Sequence, residues 1–295
     1  MGVPGILLVC LSVLLPGSCW LMHQVQGQVT VTVLDVGQGD GICIRMPGGK
    51  NCLIDGGSSD VSSVGAYRIE PYLLYCGIRN IDYAFVSHGD EDHISGIREL
   101  LEDQRLGIGI RTLVLPAEEY WDEKLKELAV LAAENGTRIA EIHAGEQVVD
   151  GTGEQKMSLR CIGPEMGLSE SGNAASMVLQ AEYGNFSMLL TGDVEGAGEK
   201  QLVKSGRLGK CRILKAAHHG SKNSGTEEFL DAVEPQMFNF SRTGNRYGHP
   251  HEETLERLKS RNCQVYSTQQ CGAVTIQSDG KKLFFSRKCG GGGSD

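Results

Sequence analysis

Four potential metal ligands, His88, Asp90, Asp92 and His93, crowd the segment Ser87-His88-Gly89-Asp90-Glu91-Asp92-His93, directly after the apolar run Tyr83-Ala84-Phe85-Val86. Neutral imidazole and carboxylate together are a ligand set for a hard or borderline divalent cation. A strand end is a rigid place from which several such side chains converge. Carboxylates near a helix start also cap free amide groups and complement the helix dipole, so this segment alone is open to a structural reading. That reading weakens because two further apolar segments stop at the same residue types. Ser187-Met188-Leu189-Leu190-Thr191-Gly192-Asp193 ends on Gly-Asp, and Cys211-Arg212-Ile213-Leu214-Lys215-Ala216-Ala217-His218-His219-Gly220-Ser221 runs into paired histidines. Three strands that deliver His and Asp at their carboxyl ends are the arrangement of an active site in a layered α/β fold.

The elements that must position these residues can be read from pattern. Residues 29–35, 41–46 and 51–54 are rich in β-branched side chains and separated by glycine-rich turns, which predicts three successive strands. Helices are expected over 67–75 and 94–102, on either side of a strand at 83–87, with the ligand cluster in the loop between that strand and the second helix. A strand at 112–115, a helix over 121–135, a strand over 159–162 and a hairpin over 177–190 follow. The last third alternates a strand at Ile213, a helix over 226–233, a strand over 237–240, a helix over 252–261 and closing strands at Val265 and Val274. Early antiparallel strands followed by α/β alternation suit two mixed sheets packed face to face with helices outside.

The 295 residues support one substantial core, and no linker divides them. With 22% charged and 40% apolar residues, the chain is neither disordered nor a repeat array. A net charge of −9 argues against a basic face that would hold nucleic acid by bulk electrostatics. Residues 3–22 carry no formal charge, and about 20 helical residues span a hydrocarbon core of about 30 Å. Residues 1–27 therefore read as a membrane anchor or signal segment, with burial of the segment as the third reading. No Lys or Arg precedes this stretch, so the usual basic region of a secretory signal is lacking. Residues 288–295 form a glycine-rich, flexible tail. Among the ten cysteines, Cys43, Cys52, Cys76, Cys161 and Cys211 lie in apolar runs and read as small core residues. Cys263 and Cys271 are candidates for a disulfide, although sequence does not settle connectivity.

The order His-x-Asp-x-Asp-His, Thr-Gly-Asp, His-His-Gly-Ser resembles the metallo-β-lactamase superfamily. The flanking Leu34-Asp35-Val36-Gly37-Gln38-Gly39-Asp40, Leu53-Ile54-Asp55-Gly56-Gly57 and Asn245-Arg246-Tyr247-Gly248-His249-Pro250 resemble one branch of it, the carboxyl-terminal hydrolase domain of the ComEC competence proteins, which belong to DNA uptake. The similarity runs from about residue 28 to about residue 287, and several motifs in the right order make chance a poor explanation. The resemblance implies a four-layer αβ/βα sandwich with the metals at one edge of the sheets. It also implies a hydrolase domain at residues 28–287, held outside the cytoplasm at a membrane or secreted. In that family the domain follows membrane helices, so the chain resembles a piece detached from them.

By the same resemblance, His88 and Asp90 would hold one divalent cation, Asp92 and His93 a second, and Asp193 would bridge them. His219 is favoured over His218 as the remaining ligand. Asp55 would orient a ligand histidine through its other ring nitrogen, or would simply form a turn before Gly56 and Gly57. Asp90 stands where many members carry a second histidine, and no histidine occurs between His143 and Asp193. Oxygen in place of imidazole favours manganese or magnesium over zinc at that first site. Asn173, Ser176, Ser221 and Asn245 are candidates for binding phosphate oxygens. His249 is either the acid that protonates the leaving oxygen or a structural residue of a turn. Asp35, Gln38 and Asp40 read as a loop framing the site or as polar tips of a hairpin, and His143 as a surface residue.

The expected activity is metal-dependent phosphodiester hydrolysis by a hydroxide held between two cations, most directly a DNA nuclease of uptake. Its partners would be DNA, a membrane uptake channel and the membrane itself. A cell-wall phosphodiester or phosphocholine esterase is the alternative substrate reading, since fold does not fix substrate. A non-catalytic DNA-binding or channel-docking module is the alternative of another class.

Overall fold

Runs of β-branched and aliphatic residues pair early in the chain. In the computed structural model, which describes residues 27–240 and 248–287, β1 (Val29–Val33), β2 (Gly41–Arg45) and β3 (Asn51–Gly56) form an antiparallel meander. A π-helical turn over Gly65–Ile69 continues into α1 (Glu70–Tyr75). Then come β4 (Asn80–Ile81), β5 (Tyr83–Phe85), α2 (Glu91–Glu102), β6 (Gly109–Ile110), β7 (Thr112–Leu115), α3 (Glu123–Glu134) and β8 (Arg138–Glu141). The second half runs β9 (Gln147–Asp150), β10 (Met157–Gly163), β11 (Val178–Tyr183), β12 (Phe186–Leu190), α4 (Gly196–Ser205), β13 (Ile213–Lys215), α5 (Glu227–Val233) and β14 (Met237–Phe240). It closes with α6 (Glu252–Lys259), β15 (Gln264–Ser267), a short α7 (Thr268–Cys271), β16 (Val274–Ser278) and β17 (Leu283–Arg287).

One sheet has the order β17-β16-β1-β2-β3-β5-β7-β8 and the other β15-β14-β13-β12-β11-β10-β9, with β4 and β6 pairing apart. Each is antiparallel on one side and parallel on the other, the change coming at β3 in the first sheet and β12 in the second. Parallel neighbours need crossover connections, and these helices cover the outer faces. Side-chain alternation sorts the layers. Cys52 and Ile54 of β3 join Val31, Ile44, Leu179 and Met188 between the sheets, whereas Leu53 turns outward to Ile69, Leu73 and Ile97. On the other side Leu189 and Leu214 meet Leu202 of α4, Leu230 of α5 and Leu258 of α6. Burying each such side chain contributes about 1.5–3 kcal/mol. The result is the four-layer αβ/βα sandwich expected from the sequence.

Several boundaries differ from expectation. Helix α2 begins at Glu91 rather than residue 94, because Asp90 is extended (φ −75°, ψ 146°) and ends the preceding loop. Asp92 and His93 therefore sit in the first helical turn, a stiffer support than a loop. Strands β4, β6, β8, β9 and β17 went unread. Strand β8 is only four residues long with no buried position, and β17 is a half-exposed edge strand. Cys263 and Cys271 are free thiols, not a disulfide. No helix among the described residues is long and apolar enough to cross a membrane. The expected anchor or signal at residues 1–27 falls, apart from Gly27, outside the described residues, as does the tail at 288–295.

Candidate metal centre

The carboxyl ends of four strands meet at one edge. β3 carries Asp55 as its penultimate residue, β5 leads to His88 and the start of α2, β12 leads to Asp193, and β13 leads to the turn bearing His218 and His219. Asp92, His93, Asp193 and His219 converge, each offering one ligand atom within 4.8 Å of the others. Asp193 divides its oxygens: Oδ1 faces His93 Nε2 at 3.2 Å, and Oδ2 faces His219 Nε2 at 3.7 Å. His219 Nε2 also lies 3.3 Å from Asp92 Oδ2.

These separations fit a cation better than they fit hydrogen bonds. A tetrahedral ion about 2.1 Å from each ligand sets its ligands about 3.4 Å apart. His93 Nε2, His88 Nε2 and Asp193 Oδ1 are buried without a hydrogen-bond partner among the described residues. Leaving such atoms unsatisfied costs about 1–3 kcal/mol each, a cost that coordination removes. The donor set, two imidazoles and two carboxylates, is one that a divalent cation accepts.

Behind the four ligands stand two carboxylates. Asp55, at a left-handed φ of 53°, receives His93 Nδ1 at 2.9 Å on Oδ2 and the Ser87 amide at 2.7 Å on Oδ1. The Ser87 hydroxyl donates to the same Oδ2 at 2.9 Å. Asp55 thus meets the His93 ring at the nitrogen opposite Nε2. Asp40 stands behind His219, with Oδ1 at 3.5 Å from Nδ1. Asp40 and Gln38 are buried, whereas Asp35 is exposed, so the hairpin-tip reading holds for Asp35 alone. Glycines allow the backbones to close in: a Cβ on Gly39 would lie 2.3 Å from the Gly57 carbonyl and 2.5 Å from that of Asp92.

The other residues singled out in the sequence are placed in different ways around this cluster. His88 Nε2 faces the half-exposed Asp90 at 3.5 Å, and its ring centroid is 4.2 Å from that of His93. His218 Nδ1 contacts Glu195 at 2.9 Å, its Nε2 lies 3.8 Å from Asp193, and the Asn173 amide is 3.4 Å from its ring. His249 packs edge-on against His218 with centroids 5.2 Å apart. Ser176 is buried behind the cluster, its hydroxyl accepting the Asp193 amide at 3.2 Å and lying 3.4 Å from His88 Nδ1. Ser221 is likewise buried, with its hydroxyl toward Glu195 at 3.4 Å. Both serines meet protein groups rather than open solvent. Asn245 lies outside the described residues, and exposed His143 is remote from the cluster, 3.9 Å from Glu141.

Charge in the floor is strongly coupled. Burial opposes charging the His93 ring, yet Asp193 and Asp55 on its two sides hold its pKa well above the ordinary imidazole value. Burial likewise pushes the Asp193 carboxyl up, but His93 and His219 outweigh it and hold the group well below the carboxylate range. Asp92 is lowered in the same way, against burial, by the nearby His219 and His93 rings. On the rim, Glu195 and Asp193 raise His218 against the effect of burial. His249 is lowered by burial and by the two neighbouring histidines. Sequence reasoning missed Glu195, and it missed Lys215, whose ammonium meets Asp40 Oδ2 at 2.7 Å. A lysine inside an apolar strand was the available signal, because buried lysines are almost always paired.

Comparison with known proteins bears on the family and the fold. Residues 34–236 match the model of the metallo-beta-lactamase superfamily. The chain is 32% identical over 272 residues to ComE operon protein 3 of Bacillus subtilis (strain 168), covering 87% of this chain and 34% of that protein. It is 29% identical over 251 residues to competence protein ComA of Neisseria gonorrhoeae, covering 84% of this chain and 32% of that one. The chain thus spans about a third of the length of the curated relatives it matches. Among solved structures, the metallo-beta-lactamase fold protein YhfI from Bacillus subtilis superposes with a TM-score of 0.54 at 13% identity, covering 85% of this chain and 99% of that one.

Proposed function

The chain belongs to the metallo-β-lactamase superfamily, and on that premise we propose that it is a metal-dependent phosphodiester hydrolase, a nuclease acting on DNA during uptake. The observation that carries this reading is the convergence of Asp92 with the buried His93, Asp193 and His219, with His93 Nε2 and Asp193 Oδ1 lacking hydrogen-bond partners among the described residues. The choice of DNA draws support from the competence protein among the relatives. The catalytic unit is residues 28–287, with residues 1–27 as anchor or signal and 288–295 as a tail.

Asp92, His93, Asp193 and His219 would hold one divalent cation, and His88 and Asp90, sharing Asp193, a second. Manganese or magnesium suits the second position, since Asp90 supplies oxygen there. Cations so held supply Lewis-acid activation of water and of the phosphoryl group, and stabilise charge that develops in the transition state. Asp55 holds the His93 ring with Nε2 turned toward Asp193. His218, His249 and Asn173 occupy the open side, placed to contact a phosphate oxygen and to move a proton at the leaving oxygen. Ser176 fixes the Asp193 backbone from behind. The working position is the outer face of a membrane beside an uptake channel.

The test is hydrolysis by the purified, metal-stripped chain reconstituted with manganese, magnesium or zinc. Single-stranded DNA, double-stranded DNA and a phosphocholine polymer serve as substrates. Metal-dependent DNA cleavage, abolished by chelator, is expected. Turnover of the phosphocholine polymer alone would transfer the activity to a cell-wall ester, and metal binding without any turnover would favour a DNA-docking module.

A further inference from the structure

The two floor histidines are each backed by a carboxylate, but the carboxylates are anchored differently. Asp55, behind His93, is held by the amide and hydroxyl of its neighbour Ser87. Asp40, behind His219, has one oxygen at 3.5 Å from Nδ1 and the other at 2.7 Å from Lys215 Nζ. Lys215 is fully enclosed, and its ammonium also donates to the Ala216 carbonyl at 2.9 Å. Taking an ammonium out of water costs several kcal/mol, and an enclosed group cannot touch substrate, so its use must be internal.

Two features show what that use is. The turn bearing His219 follows β13 directly, and both His218 and His219 sit at left-handed backbone angles, with φ of 47° and 51°. Non-glycine residues hold such angles only where surrounding structure over-determines them. The turn's backbone is tied by the His218 amide to the Gly192 carbonyl and by the Ser221 amide to the His218 carbonyl, and Asp40, beside the His219 ring, is itself firmly set. Its amide donates to the Asp92 carbonyl at 2.9 Å, and its own carbonyl accepts the Gly57 amide at 2.9 Å. One residue thus ties the loop before β2 to the start of α2, to the turn after β3 and, through Lys215, to the end of β13.

We propose that Lys215 and Asp40 form a positioning pair for His219. The ammonium pins one carboxylate oxygen so that the other fixes the imidazole with Nδ1 to the rear and Nε2 toward Asp92 and Asp193. This inference rests on the reading of His219 as a ligand, and it differs in sign from a purely electrostatic role for Lys215. Deleting a cation that acts only through its charge makes the site more negative and tightens metal binding. Deleting a pin loosens it.

The experiment uses the full chain and three variants: Lys215→Met, and the neutral pairs Asp40→Asn/Lys215→Met and Asp40→Ala/Lys215→Met. The first neutral pair keeps an oxygen acceptor behind His219 and the second does not. Zinc affinity is measured by calorimetry, and histidine tautomers in the zinc-loaded protein by nitrogen-15 NMR. Loss of an outer contact to a ligand histidine typically weakens metal binding about 10–100-fold. Lys215→Met and the Ala pair should show such a loss, with the His219 signal leaving its single Nδ1–H form while that of His93, held by Asp55, stays in place. The Asn pair, which keeps the acceptor without its pin, should show a smaller loss than the Ala pair. Tighter binding by Lys215→Met, equal losses in both neutral pairs, or equal disturbance of His93 and His219 would overturn the proposal. If Lys215→Met does not fold, the two neutral pairs carry the test. A wild-type chain that binds no cation would instead sink the metal reading, and the same tautomer comparison in metal-free protein would then decide the positioning role.

Discussion

The floor and the rim of the cleft use the same residue types in different surroundings. On the floor the His93, His219 and Asp193 side chains are no more than 3% exposed, and each ring is backed by a carboxylate of its own. On the rim, Asp90 is 53% exposed and His218 is 25% exposed, with partners that water can replace. Charges without solvent are neutralised only by one another or by a bound cation, whereas exposed charges are screened and free to re-pair. The floor is therefore suited to permanent metal binding, and the rim to a more loosely held second cation and to contacts that form and break with substrate.

The sharpest way to break this contrast is to remove the residue that spans the floor. Asp193→Ala should lower turnover on the order of 10³-fold, the several kcal/mol that Lewis-acid stabilisation contributes, with thermal unfolding of the metal-free protein little changed. Near-wild-type rates with full metal occupancy would remove Asp193 from its assigned role. The paired histidines give the next test. His219→Ala should approach the Asp193→Ala defect, while His218→Ala, which loses one charged hydrogen bond at the rim, should cost about 10–100-fold. The reverse ranking would move the ligand role to His218.

How far the sequence disclosed this division depends on the residue. The ligand motif, the Thr-Gly-Asp segment and the paired histidines were legible because each follows an apolar run whose period marks it as a strand. The two sheets were legible for the same reason. Asp40 was not, because Gly-Gln-Gly-Asp reads equally well as a hairpin tip, and only the close approach of Gly39 to Gly57 and Asp92 buries it. Lys215 needed its partner to be recognised, and that partner lies 175 positions away in the chain. Strand β8 carries too short and too exposed a pattern to declare itself.

Two smaller effects sharpen the picture. With Asp90 at the rim, manganese should support faster hydrolysis than zinc at saturating metal, and Asp90→His should shift the preference toward zinc. Highest activity with zinc in the unaltered protein would contradict an oxygen-rich second position. The smallest expected effect is that of salt. At a net charge of −9, few phosphates beyond the reactive one can be neutralised by side chains. Binding of short single-stranded DNA to the metal-loaded His249→Ala variant, in which every ligand is kept, should then fall with a log–log slope of roughly −1 to −2. A slope steeper than about −4 would reveal a basic track.

The central claim, that the floor is a cation site held ready by its carboxylates, is tested most directly by calorimetric metal titration of the stripped chain in buffers of different ionisation enthalpy. Asp193 and Asp55, against burial, favour the charged form of the metal-free His93 ring, so an incoming cation competes with a proton for that ring. Binding should release protons at pH 7, and affinity should rise by about tenfold per pH unit for one displaced proton until pH passes the raised His93 value. Tight binding with no proton release and no pH dependence, or no binding at all, would contradict the account.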